Sequence, residues 1–501
     1  MRGSRPPRIT ETPLSETPAH TAHVLRPVAL ADPLGAFERL RGGAYPWLLD
    51  SALRGGPRGR FSFAGADPYA LVRARGAHLE VETLREVHAG LPSGPVAGEA
   101  PLLEGLRGLL PRPPRGQLPE IPFIGGAVGY LGYEFAEQLD VHRLCARDDW
   151  GLPDLSLLLV DALLAFDHEA GTSWISGLGF GHDAADAQRR AQQAADALEA
   201  RLETPVPPRA TTAPATLPDE DASPAQHHKA IDAILEEIAA GNVYQACLTH
   251  RWARNFQGDP WQLHLALRRI NPAPFAAFLE LPEVVISSSS PERFLRLSKE
   301  GRVESRPIKG TAARGLHPAE DEARRLALEQ SAKDRAEHLM IVDLVRNDLG
   351  RVCETGSVAV PELMHIEPYA QVFQMVSGVV GQLHADRDVL DLVAACFPPG
   401  SMTGAPKIAA MRLLDHLEPV RRGVYSGALG YFDARGGADL SVVIRALLVR
   451  EGRAHLHAGG GIVADSRPDA ELREAHDKLR PLLQALAEIR AATDYDGPPP
   501  S

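Results

Sequence analysis

Two pairs of carboxylates stand at helical spacing in this sequence. Asp334 and Glu337 are three residues apart, as are Glu471 and Glu474, and Lys478 follows one turn later. On a helix that spacing puts both members of a pair on one face. Four oxygen donors without a neighbouring Cys or His suit a hard cation such as Mg²⁺. Solvated helix faces carry the same pattern. Arg445 interrupts the apolar run 442–448. A guanidinium there either holds a carboxylate bidentately or points outward from a sheet edge. Lys309, framed by Pro307 and Gly310, is a nucleophile if desolvation lowers its pKa, and a surface lysine otherwise. Tyr425 offers a hydroxyl beside glycine or anchors a strand. Gly459, Gly460 and Gly461 present backbone N–H groups to an anion or form a tight turn.

Other patterns fail as motifs. The segment Gly400-Ser-Met-Thr-Gly404-Ala-Pro-Lys407 resembles a phosphate loop, but three residues, not four, separate its glycines. Pro406 also removes an N–H just before the lysine. The triple glycine is no dinucleotide fingerprint and opens no helix. No HExxH, GxSxG or EF-hand string occurs, so nucleotide-binding and hydrolase readings lack support.

The elements that must position these residues read as follows. Before residue 203 the pattern predicts strands at 60–63, 70–73 and 78–83, a strand pair 155–166 and 172–177 turning at Gly171, and a helix over 184–202. Residues 91–119 read as a loop excursion. Beyond residue 224, Ile231, Ile234, Leu235 and Ile238 predict a helix stopped by Gly241. Strands are expected at 246–251, 276–279 and 284–288, and a long helix over 318–340. The stretch 440–449, Glu451-Gly452 and 455–463 reads as a hairpin. A last helix starts near Pro468. Strands and helices without βαβ alternation predict an α+β fold.

The 501 residues carry 53 Lys+Arg and 65 Asp+Glu, a net charge of −12, with 44% hydrophobic and 24% charged residues. That balance is globular and acidic, which argues against nucleic acid and anionic membranes as partners. No apolar run is long enough to span a bilayer, and the polar N-terminus does not read as a signal peptide. The four cysteines form no CxxC pair, so a reducing cytoplasm is the simplest compartment. Six prolines between 203 and 224 read as a linker. The expected organisation is an N-terminal domain 22–202, the linker 203–224, a catalytic domain 225–488 and a tail 489–501.

Longer strings then make the sequence recognisable. They are VYQACLTHR at 243–251, SSSPERF at 288–294, PIKGT at 307–311, KDRAEHLMIVDLVRNDLGRV at 333–352, FPPGSMTGAPK at 397–407, YSGALGYF at 425–432, AGGGIVADS at 458–466 and ELREAHDK at 471–478. The chain resembles the chorismate-using enzymes: anthranilate synthase component I, aminodeoxychorismate synthase component I, isochorismate synthase and salicylate synthase. In the first half, WLLDSA at 47–52, GRFSFAG at 59–65 and IPFIGGAVGYLGYE at 121–134 resemble the N-terminal region of the two amidating members. Leu49, Asp50 and Ser51, with Leu48, match their tryptophan pocket.

The resemblance implies two facing, mainly antiparallel sheets flanked by helices. Isochorismate-type members carry a lysine base where this chain has Gln245, and glutamine cannot deprotonate water. Anthranilate synthases usually read PIAGT, whereas Lys309 resembles the nucleophile of the aminodeoxychorismate synthases. That branch is therefore expected, making 4-amino-4-deoxychorismate for p-aminobenzoate and folate synthesis. Anthranilate synthase is the alternative, and a non-catalytic tryptophan-binding relative a remoter one. The implied roles are Lys309 as nucleophile and Glu292 as general acid or base. Glu337 and Glu474 hold Mg²⁺, with Asp334 and Glu471 behind them. Arg445, Tyr425 and the backbone of Gly459, Gly460 and Gly461 hold the enolpyruvyl carboxylate. Thr311 and Ser401 are substrate contacts, and Lys478 neutralises a substrate oxygen or orders the acidic cluster. Gln374 replaces the family's usual histidine and cannot shuttle a proton at neutral pH. No cysteine lies in a Gly-rich turn, so ammonia is expected from a separate glutaminase subunit in a heterodimer.

Overall fold

The computed structural model describes residues 20–53, 59–87, 91, 94–95, 102–114, 119–139, 141–205, 219–221, 223–369 and 372–494. Among them the strands form two sheets, of eleven and twelve strands, built from antiparallel pairs. The fold is α+β. Each sheet draws on both halves of the chain. In the first, Trp47–Asp50 pairs with Phe275–Glu280; in the second, Gly126–Leu131 pairs with Ala428–Asp433. The inner faces meet across an apolar core. Phe63 of the first sheet packs edge-on against Tyr431 of the second at 5.7 Å, and Phe123 stacks on Tyr431 at 4.4 Å. Such aromatic pairs add packing energy beyond the area they bury.

Helices cover the outer faces. Ala184–Glu203 lies on the strand Thr172–Gly181 because Gly177, Gly179 and Gly181 leave room for it: a Cβ on Gly179 would stand 2.0 Å from the Ala187 carbonyl. Pro260–Ile270 and Pro468–Asp494 bury Leu263, Leu267, Leu479 and Leu482 against Leu447 and Leu456. No helix among the described residues is long and apolar enough to cross a membrane.

Three expected elements divide. The run 155–166 is two strands, Leu155–Val160 and Ala162–Asp167, in different sheets. They part at Asp161, a buried carboxylate paired with Arg85. The run 440–449 splits likewise into Ala438–Val442 of the second sheet and Ala446–Arg450 of the first. The long helix breaks at Ser331 into Pro318–Gln330 and Ala332–Gly350, because the Ser331 hydroxyl accepts the Asp334 N–H at 3.2 Å and caps the second helix. Residues 91–119, expected as loop, contain the amphipathic helix Leu102–Leu109. The last helix runs on to Asp494, into the stretch expected as a tail. Most of the proline-rich stretch (206–218 and 222) lies outside the described residues, as do residues 495–501 and most of the N-terminal segment. The hairpin at Gly171 and the helix stop at Gly241 are found where expected, both at positive φ.

Candidate active site

The crossovers between the sheets build the site. The chain leaves Val285–Ser290 in the first sheet and enters Arg293–Leu297 in the second, carrying Glu292 in the passage. It returns through residues 443–445, where Arg445 adopts φ +52°. The two crossovers are bonded to each other. Val442 N–H donates to the Glu292 carbonyl at 3.0 Å, and the Ser290 hydroxyl donates to the Val442 carbonyl at 2.6 Å. Ser289 N–H donates to the Arg445 carbonyl at 3.1 Å. A left-handed arginine is uncommon and costs strain; here it turns the guanidinium off the sheet. Among the described residues Arg445 has no ion-pair partner. Burial lowers its pKa, and Tyr425, Glu474 and Glu292 oppose that shift. An unpaired, partly desolvated guanidinium is a receptor for a carboxylate. Tyr425 is buried and stacks on His457 at 4.7 Å. The next residue, Ser426, is fully buried at φ +66°, its hydroxyl without a partner among the described residues.

Lys309 is aimed by a bulge. The strand Ile308–Ala313 slips register against Val372–Gln382 between Ile308 and Thr311, with Gly310 at φ +86° inside the slip. A Cβ on Gly310 would also stand 3.1 Å from the Asp334 side chain, so glycine is needed for space as well as for conformation. Lys309 makes no ion pair within 4 Å among the described residues. Its Nζ would stand 3.1 Å from a Cβ on Gly461, and the Gln245 amide only 2.1 Å from it. Gln245 is fully buried, and neither of its amide atoms has a partner among the described residues, which points to a polar ligand. Glu292 is 4% exposed. Burial pushes its carboxyl up to about 7, against the Ser401 hydroxyl, the Lys309 ammonium, the Ile308 N–H and Arg445.

The carboxylates arrive on two helices. Ala332–Gly350 presents Asp334, against Gly310, and Glu337, 3.8 Å from Lys333. Burial raises the Glu337 carboxyl, and Asp334 and Glu471 add to the rise while Lys309 and Lys333 oppose it. Pro468–Asp494 presents Glu471, which accepts from the Ser466 hydroxyl at 2.7 Å. Burial and Glu474 push Glu471 up. Burial would also raise Glu474, but the Lys478 ammonium at 2.6 Å, with Lys309 and Lys333, outweighs it and holds this carboxyl below its ordinary range. A Cβ on Gly460 would lie 3.1 Å from Glu471 Oε2 and 3.6 Å from Glu474 Oε1. Gly460 and Gly461 thus let the carboxylates on one side, and Gln245 and Lys309 on the other, approach the same stretch of strand. Among the described residues no three acidic, His or Cys side chains converge into a preformed metal cage. An all-oxygen, mutually repelling set nevertheless fits Mg²⁺, which takes one or two carboxylates and completes its shell with water and substrate oxygens.

The structure corrects the tight-turn reading of the glycines. Gly459, Gly460 and Gly461 lie inside the strand Arg453–Ile462, paired with Thr249, Leu248 and Cys247. The ladder on the other edge stops at Leu456, so the glycines keep one unpaired edge. Lys478 donates to the Gly459 carbonyl at 2.7 Å besides pairing with Glu474; that geometry orders the acidic cluster. Thr311 is exposed and lies across from Gln374, whose Oε1 is buried and unpartnered. Leu49, Asp50 and Ser51 line a separate cavity of about 320 Å³ with Phe61, Phe275 and Tyr431. The Asp50 carboxylate there is already held by Arg268 at 2.5 Å and the Ser62 hydroxyl at 3.0 Å. Ser426 and Ser466 escape a reading of the sequence, since neither a strained backbone nor a partner carboxylate leaves a mark in local composition.

Gly461→Ala gives a direct check on this convergence. The added methyl collides with Gln245 and crowds Lys309, and small misplacements of reacting groups are costly. The variant is expected to fold with a melting temperature close to the parent's and to lose roughly tenfold or more in kcat/KM.

Residues 57–484 match a family described as chorismate binding enzyme. The chain is 42% identical over 481 residues to the aminodeoxychorismate synthase of Streptomyces griseus, covering 93% of this chain but 65% of that protein. It therefore spans less than two thirds of that relative's length. It is 38% identical over 443 residues to aminodeoxychorismate synthase component 1 of Salmonella typhimurium, covering 88% of this chain and 93% of that one. The crystal structure of anthranilate synthase component I from Streptococcus pneumoniae superposes with a TM-score of 0.70 at 28% identity, covering 86% of this chain and 93% of that one.

Proposed function

The chain belongs to the chorismate binding enzyme family, and we propose that within it the chain is an aminodeoxychorismate synthase component I, converting chorismate and ammonia to 4-amino-4-deoxychorismate. The observation that carries this reading is Lys309. Its amine has no ion-pair partner among the described residues, and it stands at Gln245 and Gly461 under the field of a buried, readily protonated Glu292.

In the proposed reaction Arg445 and Tyr425 hold the enolpyruvyl carboxylate. Glu337 and Glu474 would hold Mg²⁺, with Asp334 and Glu471 reached through water. When bound, the ion supplies positive charge at the ring carboxylate and eases loss of the C4 hydroxyl. Lys309 passes its ammonium proton to Glu292 and, as the free amine, forms a bond to C2 as the ring double bonds shift and the C4–O bond breaks; Glu292 hands that proton to the departing hydroxyl. Ammonia then bonds to C4 and the C2–N bond to Lys309 breaks. The proton shed by the incoming amine restores Glu292. The net change is chorismate plus ammonia to aminodeoxychorismate plus water. Neither Gln245 nor Gln374 activates water, which leaves ammonia as the nucleophile.

The product would serve p-aminobenzoate and folate synthesis in the cytoplasm. The name component 1 of the Salmonella relative supports a separate partner component, whose proposed task is to supply ammonia from glutamine. The purified chain is expected to aminate chorismate with ammonium salts and Mg²⁺ and to give no product with glutamine until such a partner is added. Glutamine-dependent product from the lone chain contradicts the partner. The cavity at Leu49, Asp50 and Ser51 is of a size for a bound tryptophan.

A further inference from the structure

Lys407 is a buried lysine that the reaction above does not use. It is 9% exposed, and its ammonium donates to Asp348 Oδ2 at 2.7 Å and to the Cys396 and Pro398 carbonyls at 2.7 and 3.0 Å. Three acceptors satisfy all its donors. They belong to two structures that must meet at the site. Asp348 lies on the helix Ala332–Gly350, three turns beyond Glu337. Cys396 and Pro398 lead into the turn Gly400–Met402, which carries Ser401. The turn packs directly on the helix, since a Cβ on Gly400 would stand 2.9 Å from Leu344. Arg422 holds its far end through the Met402 carbonyl at 2.7 Å. Ser401 is 6% exposed and lines one small pocket with Glu292, Asp348 and Cys396. Only the position of the turn keeps it there.

We propose that Lys407 is a positioning residue for the reaction: its ammonium pins the Gly400–Met402 turn to the Glu337-bearing helix and so holds Ser401 against Glu292. A surface lysine would not need two carbonyls and a carboxylate in a space that excludes water. The inference rests on the proposed role of Glu292 as proton donor, which it deepens. The charged groups facing Glu292 are Lys309 and Arg445. Neither belongs to the strut; Asp348 also pairs with the largely exposed Arg351 at 3.3 Å, and removing Lys407 and Asp348 together leaves the net charge unchanged. Loosening the turn therefore acts on Glu292 by moving Ser401 rather than by changing net charge.

Lys407→Met alone leaves the buried Asp348 carboxylate with only its Arg351 contact at 3.3 Å and is expected to melt early. The deciding variant is Lys407→Met with Asp348→Asn, which removes both charges. It is expected to recover most of the parent's melting temperature. Its kcat should still be down roughly tenfold to a hundredfold, with chorismate KM nearly unchanged and the limb of the pH–rate profile assigned to Glu292 moved to higher pH. In a Ser401→Ala background the double substitution should add little. Infrared difference titration of Glu292 against Glu292→Gln reads the same upward move without turnover. It therefore tests the strut even in a chain that makes a different product. A folded double variant with the parent's kcat, pH limb and Glu292 titration overturns the inference.

Discussion

Lys309→Ala abolishes amination of chorismate, with an expected loss on the order of 10³-fold or more, while the chain keeps its fold. The side chain stands on a bulged strand, makes no ion pair among the described residues, and is only partly buried. Shortening it therefore leaves no buried charge behind. Only the bond-forming amine is lost, together with its share of the positive field at Glu292 and Glu337. The measurement is steady-state product formation with ammonium at saturating Mg²⁺, beside a thermal melt. A variant that melts like the parent and aminates at full rate removes the covalent step.

Glu292→Gln is expected to cost about 10²–10⁴ in kcat, the usual worth of a positioned proton donor. The amide keeps the shape and sends no proton to the departing hydroxyl. The pH dependence gives the sign. Burial holds the Glu292 carboxyl up to about 7, and the protonated form is the active donor. The parent's kcat should therefore fall as pH rises through that region, and the variant should lack that limb. A limb that survives in Glu292→Gln assigns proton donation elsewhere.

The chemistry was legible in the sequence because carboxylates at helical spacing, PIKGT and the long ordered strings are local. The α+β class was legible because periodicity is local as well. The crossovers were not. The runs 155–166 and 440–449 are mostly apolar, and such a run reads the same whether it stays in one sheet or changes sheets. The turning points are a buried Asp161 and a left-handed Arg445, and these are determined by tertiary partners. The same holds for Gly459, Gly460 and Gly461. Three glycines suggest a turn, yet here they let Gln245, Lys309 and two glutamates approach a stretch of strand that carries no side chains. Ser331 is the opposite case, since a serine ahead of Asp334 is a readable cap that divides an otherwise continuous pattern.

The acidic balance of the whole chain, −12, says little about the charge its ligand carries. Glu337, Glu471 and Glu474 belong to that excess, yet with Lys309, Lys478 and Arg445 they form a site suited to a cation and a dicarboxylate together.

The most direct test is the identity of the product. The purified chain is incubated with chorismate, an ammonium salt and Mg²⁺, and the reaction is resolved by mass spectrometry. The expected product has exchanged the C4 hydroxyl for an amine and kept its enolpyruvyl group, with no pyruvate released. Anthranilate and pyruvate in equal amounts would contradict the assignment and place the chain with the anthranilate synthases.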